Sequence, residues 1–265
     1  HIYMVVNASR KEDDIKHLRE HLEPLGVSVE NLENRALIAV QGPASEKVLS
    51  EHYLKISNMN FMDVATIPIA GAECWISRSG YTGEDGFEIS IPNKAAENVT
   101  ETLLKHKSVE LVGLGARDSL RLEAGLCLYG QDIDATTSPV AAGLKWAMHK
   151  SRLSKGKKEG SYPGANTILS EIKNGSEYKL AGFVPLGKAP IRTDTKLFDN
   201  GTSSVPIGRI TSGLFSPTQK HPIAVGYIKS EFSHLGNRVN AQVRGKLLEI
   251  EVTSLPFVKK NFKKN

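Results

Sequence analysis

Glu123 is a carboxylate in an apolar setting. If residues 116–124 form a helix ending at Gly125, then Ala116, Leu120 and Glu123 recur at i, i+4 and i+7, and the acid lies on the apolar stripe. A buried carboxylate requires partners. Glu123 therefore either pairs with Arg117 or another buried base, or accepts hydrogen bonds from the N–H groups of a bound ligand. Two Gly-rich loops could surround such a ligand. Residues 79–88 (SGYTGEDGFE) set three glycines around Tyr81, Glu84 and further acids, so that backbone can approach a flat molecule closely. Residues 211–218 (TSGLFSPT) have a similar make-up between two strands. Each loop read alone is equally a hairpin connection.

Other chemistries are excluded by spelling. Gly113-Leu114-Gly115-Ala116-Arg117-Asp118 begins like a dinucleotide loop but carries Asp118 where the third glycine belongs, and Gly156-Lys157-Lys158 lacks the upstream glycine of a phosphate loop. The eight histidines are read as scattered, without an i, i+4 pair and without cysteines at ligand spacing, so no metal site is expected. Cys127 sits in an apolar Leu126-Cys127-Leu128 run that suits an inert buried thiol. With only two cysteines no disulfide framework is expected, and a reducing compartment is inferred.

The elements that must position these residues fall into two kinds. An opening strand over residues 1–7 is followed by a helix starting at the capping box Ser9-Arg10-Lys11-Glu12, with Ile15, Leu18 and Leu22 inward. A strand over 35–41 leads through Gly42-Pro43 into a short helix reaching about Leu54. Strands follow over 65–70, 73–77 and 87–92, then a helix capped by Asn93 with Val99, Leu103 and Leu104 inward. From Lys179 onward only short strands recur (179–184, 205–211, 223–229, 238–243 and 247–252), the pattern of a small antiparallel barrel or sandwich. The expected fold class is α+β: a body over 1–150, a basic linker with a short helix over 151–178, and an all-β C-terminal barrel domain over 179–265.

The chain of 265 residues has 34 Lys and Arg against 29 Asp and Glu, a net charge of +5, but the excess is local. Residues 145–160 carry six basic side chains and residues 259–265 four, leaving 24 basic against 28 acidic residues elsewhere. Two such segments are either solvated surface or a means of steering a polyanion or an acidic partner. Aromatics make up 6% and are not interleaved with the basic residues, so no nucleic-acid stacking platform is expected. No apolar run reaches the length of a membrane span.

Several stretches are then specific in order and spacing: Gln41-Gly42-Pro43; Gly80-Tyr81-Thr82-Gly83-Glu84 with Gly86 and Glu88; residues 115–125 (GARDSLRLEAG) continuing to 128–134 (LYGQDID); and Thr211-Ser212-Gly213 with Ser216-Pro217. Together they resemble the aminomethyltransferase, or T-protein, family of the glycine cleavage system, over essentially the whole chain. The resemblance implies a cloverleaf of α/β domains with a C-terminal barrel. Tetrahydrofolate would be bound in its central hole and reached by the lipoyl arm of an H-protein carrying an aminomethyl group. It implies transfer of the one-carbon unit to folate N5 with release of ammonia.

It also implies folate-binding roles for Glu123, for Arg152, which stands 29 residues later within the basic segment, and for Phe262, where the family has a tyrosine. Tyr81, Glu84 and Tyr129, in the other matching segments, complete the expected folate-binding set. The family's catalytic aspartate is expected upstream of His1, so no catalytic residue is assigned within these 265 residues, and the chain alone is expected to be inactive. The alternatives are a non-catalytic folate-binding relative and a folate-dependent demethylase-type domain. The lack of a flavin domain and the 128–134 stretch favour aminomethyl transfer over demethylation. A mitochondrial matrix location is expected for a eukaryotic source and cytoplasm for a bacterial one.

Overall fold

A computed structural model describes residues 2–201 and 205–264. The chain divides into two compact units. One comprises the residues up to Val40 with Ala44–Arg78 and Phe87–Glu110, and the other comprises Gln41–Pro43, Ser79–Gly86 and the chain from Leu111 onward, so residues 1–150 are shared between them.

In the first unit a four-stranded sheet has the order β1-β4-β3-β2, from β1 (Arg35–Gln41), β2 (Val64–Ile69), β3 (Ala72–Ser77) and β4 (Gly86–Pro92). Strands β2 and β3 form a hairpin whose turn residues Ala70 and Gly71 both have positive φ, the mirror-image turn that matches strand twist. Helices α1 (Lys11–Leu22), α2 (Ser45–Ser50) and α3 (Ala96–Leu104) accompany the sheet. Val48, Leu49, Ile67, Ile76, Phe87, Ile89 and Val99 pack into one core with Cys74, whose thiol pKa is raised by burial.

Several local expectations are corrected in this unit. Residues 2–7 form no strand, because a strand needs a neighbour to complete its ladder, and here Ile2, Met4 and Val5 are exposed while Tyr3 meets Trp75 edge-on. His1 lies outside the described residues. The capping box does not form: a 3-10 turn over Ala8–Arg10 leads into α1, and its N-cap position, Arg10, makes no side-chain cap. The helix after Pro43 stops at Ser50 and a separate 3-10 turn covers Leu54–Asn58. Asn93 opens a 3-10 turn instead of capping α3, and its side chain donates to Glu33 O. His17 and His21 do form an i, i+4 pair on α1, ring centroids 4.4 Å apart, although no group of metal-binding side chains occurs among the described residues.

In the second unit, six strands close an antiparallel barrel in the order β10-β5-β8-β7-β6-β9. They are β5 (Tyr178–Pro185), β6 (Lys196–Phe198), β7 (Gly208–Ser216), β8 (His221–Lys229), β9 (Arg238–Val243) and β10 (Lys246–Thr253). The open choice between barrel and sandwich is thus resolved as a barrel, filled by Phe183, Leu197, Ile210, Ala224, Ile228, Val239, Ile250 and Val252. The three-residue β6 is too short to show alternation in sequence. Strand β7 runs to Ser216, so the second Gly-rich stretch is mainly strand: Gly213 lies so close to Ile191 O that an added Cβ would stand 2.0 Å from it. Helix α4 (Leu114–Glu123) packs on β7 and β8, and α5 (Ala165–Asn174) precedes the barrel. Among the described residues no helix is long and apolar enough to cross a membrane.

Candidate functional site

The last turn of helix α4 carries Glu123 into the barrel: Arg121, Leu122 and Glu123 are all buried, Leu122 against Ile223 and Val225, and Glu123 is only 3% exposed, whereas Ala116, expected on the same inward stripe, is exposed and Leu120 is half-buried. The carboxylate is held by the end of β7 and the turn beyond it. Oε1 accepts from Ser216 Oγ at 2.5 Å and from Thr218 N at 3.0 Å, and Oε2 accepts from Thr218 Oγ1 at 2.8 Å. Hydroxyls and a backbone amide, and not Arg117, thus compensate the buried acid. Arg117 lies instead over the Tyr81 ring, 4.8 Å from its centroid.

Three segments converge beside Glu123. Val258 N donates to Glu123 O at 2.9 Å and Asn261 N donates to Gly83 O at 2.8 Å. Gly83 has φ +78°, and a Cβ there would stand 2.7 Å from Ala124 Cβ, so the loop reaches the end of α4 only as glycine. Glu84 Oε1 accepts from Asn261 Nδ2 at 2.6 Å, next to the half-buried Phe262. Tyr81 donates its hydroxyl to Cys127 O, and burial pushes its pKa up to about 12, with the Arg121 charge opposing the rise. The Cys127 thiol, pushed up to about 11 by burial and by the Asp132 charge, is protonated at neutral pH and unsuited to nucleophilic attack.

Of the expected folate-binding residues, Glu123, Tyr81, Glu84 and Phe262 belong to this convergence. Tyr129 lies in the adjoining turn, bridged to Ile133. Arg152 ends a 3-10 turn in the basic segment, where its guanidinium donates to Ser161 O.

A second buried group went unread in sequence. Arg121 and Asp132 are 1% and 2% exposed, with Arg121 Nη1 at 2.5 Å from Asp132 Oδ2. Asp132 Oδ1 accepts from Thr211 Oγ1 at 2.6 Å and Ser212 Oγ at 2.7 Å. Consecutive strand residues normally face opposite ways, but a register shift between Ile210 and Ser212 inserts Thr211 as an extra residue and turns both hydroxyls to one acid. Burial disfavours the Arg121 charge, yet Asp132 and Asp118 outweigh that cost and its pKa is raised. Residues 115–134 carry six charged side chains, Arg117, Asp118, Arg121, Glu123, Asp132 and Asp134, and nothing in their spacing singles out this pair.

With this geometry in hand, comparison with known proteins is decisive. Residues 1–152 match the GCVT N-terminal domain and residues 179–259 match the glycine cleavage T-protein C-terminal barrel domain. The chain belongs to the glycine cleavage T-protein family. It is 40% identical to a mitochondrial aminomethyltransferase of Dictyostelium discoideum, covering 99% of this chain and 68% of that protein. It is 41% identical to the mitochondrial aminomethyltransferase of Pisum sativum, over 97% of this chain and 64% of that one. The crystal structure of the glycine cleavage system aminomethyltransferase T from Bartonella henselae superposes with a TM-score of 0.87 at 39% identity, covering 97% of this chain and 69% of that one. The chain therefore spans about two thirds of the length of these relatives.

Proposed function

We infer that the protein serves as a tetrahydrofolate-dependent aminomethyltransferase of glycine cleavage. The observation that carries this reading is identity of 40% or more to aminomethyltransferases along nearly the whole chain. When bound, tetrahydrofolate supplies a nucleophilic nitrogen that takes the one-carbon unit from the aminomethyl-lipoyl arm of an H-protein, and ammonia leaves.

The residues present fit a flat heterocycle with N–H donors. Glu123 Oε2 receives one donor from Thr218, which leaves acceptor capacity on that oxygen for a ligand N–H. Two donors meet Glu123 Oε1 and one meets Oε2, so the carboxylate is held in a fixed orientation. Tyr81, with its hydroxyl committed to Cys127 O, contributes a rigid ring surface and not a mobile proton. Phe262 offers a ring without a hydroxyl. Arg152 supplies a permanent positive charge for an anionic part of the folate.

The test is to mix the protein with aminomethylated H-protein and tetrahydrofolate and to measure ammonia and 5,10-methylenetetrahydrofolate together. Stoichiometric, folate-dependent release of ammonia is expected of the protein expressed from its full gene. Binding of folate without any such release would instead indicate a folate-binding relative, and absence of folate binding would overturn the reading.

A further inference from the structure

Within the barrel unit a cleft of about 870 Å³, which Glu123 does not line, lies between the 131–139 turn, helix α5 and the outer faces of β6, β7 and β8. Its size is that of a small-molecule site. The strand register sets three of its side chains in a row: Lys196 stands directly across from Arg209, and Arg209 directly across from Tyr227. Their neighbours Leu197, Ile210 and Ile228 are buried in the barrel, so the row faces outward. Two cations directly opposite one another repel unless an anion lies between them. Asp194 approaches Arg209 only at 3.5 Å in a largely exposed pair, which contributes little.

Two further observations mark the cleft as built to receive polar groups. Tyr227 Oη and Ser176 Oγ are both buried, both on its wall, and both without a hydrogen-bond partner among the described residues. Ser176 as a whole is 6% exposed. A buried hydroxyl without a partner loses its hydrogen bonds to water and gains none in return. Burial raises the Tyr227 pKa, so its hydroxyl is a donor at neutral pH.

The acids of the cleft decide the class of ligand. The lining also carries Glu171 and Glu177, together with Asp134, whose charge acts on Arg209 and Tyr227. Ser138 donates to Glu171 Oε2, and the three hydrogen bonds that Thr136 and Thr137 give Asp134 all fall on Oδ1, which leaves a second oxygen on each acid to accept. A simple anion would meet these carboxylates, and a simple cation would meet Lys196 and Arg209. We propose that the cleft binds a small zwitterion of the amino-acid type, its carboxylate on Lys196, Arg209 and Tyr227 and its ammonium toward Glu171 and Glu177. Ser176, beside Glu177 in sequence, then accepts from the ammonium. This site is independent of the aminomethyl-transfer reading.

Calorimetric titration with glycine, glycylglycine and 5-aminovalerate tests it, each beside its counterpart lacking the ammonium or the carboxylate. At least one zwitterion is expected to bind with a dissociation constant of about 1 mM or below, about tenfold tighter than both counterparts. Arg209→Ala should weaken it about tenfold. Tyr227→Phe should weaken it several-fold while leaving the melting temperature of the free protein unchanged or higher, since that hydroxyl has no partner to lose. The proposal is overturned if no zwitterion binds by about 10 mM, if an anion or cation alone binds equally well, or if both variants keep the affinity of the parent.

Discussion

Arg121 and Asp132 form a fully buried ion pair 2.5 Å apart that joins helix α4 to the 128–134 turn, and Thr211 and Ser212 tie the same aspartate to the barrel. Removing one partner of such a pair strands the other charge, which costs about 3–5 kcal/mol. Asp132→Asn should therefore lower the melting temperature by about 6 °C or more, at about 2–4 °C per kcal/mol for a unit of this size. Asp118 also contacts Arg121, at 2.7 Å, but its side chain is 49% exposed. Asp118→Asn should cost at most about 1 kcal/mol. Thermal denaturation of the two variants checks the ranking, and equal losses would contradict it.

Glu123→Ala should weaken tetrahydrofolate binding by about 1.5–3 kcal/mol, the range for a hydrogen bond to a charged group. Thr218→Val, which removes the hydroxyl on Oε2, should weaken it less, because Ser216 and the Thr218 amide still hold the carboxylate through Oε1. Equilibrium binding and melting temperature should be measured together. Unchanged affinity with a lower melting temperature would make Glu123 a purely structural acid.

The two basic segments should separate by salt dependence. Arg152→Ala is expected to speed folate dissociation at every ionic strength, as a direct contact would. Substituting Lys259 and Lys264, the exposed lysines of the tail, by alanine should raise the KM for H-protein only at low salt, because steering by exposed charges fades once the Debye length falls to about 8 Å near 0.15 M. Stopped-flow rates across a salt series decide the matter, and an Arg152 variant with intact folate affinity would refute the assignment.

Cys127 and Tyr81 should contribute to a loss of stability at alkaline pH, alongside the likewise buried Cys74 and Tyr227. Burial raises Cys127 from 9.0 to about 11 and Tyr81 from 10.0 to about 12. The folded chain therefore keeps protons that the unfolded chain releases, so their contribution is complete below pH 9.0 and is lost as pH climbs from there to about 12. Urea unfolding across this window should show a smaller loss for Cys127→Ala in its lower half and for Tyr81→Phe in its upper half. Stability that stays flat across the window would argue against burial as the cause.

Much of this protein is written in local periodicity. Helix α4 itself was legible, but Glu123 is inside because the whole last turn, with Arg121 and Leu122, is buried, while Ala116 on the expected stripe is exposed. Alternation and turn residues likewise marked β5, β8, β9 and β10 of the barrel. The glycine of the 79–86 loop that touches Ala124 was visible as a glycine, though not its neighbour.

What the tertiary structure alone decided is partnership. Residues 2–7 have the composition of a strand, but without a ladder to join they form none. Glu123 called for a partner, and Ser216 and Thr218 supply it from more than ninety residues away. Asp132 is satisfied by Thr211 and Ser212 only because one extra residue in β7 turns two consecutive hydroxyls the same way. Periodicity is a property of a few neighbouring residues. The partner of a buried charge depends on which strand the closed barrel brings alongside, and the energy of leaving that charge unpaired makes the match obligatory.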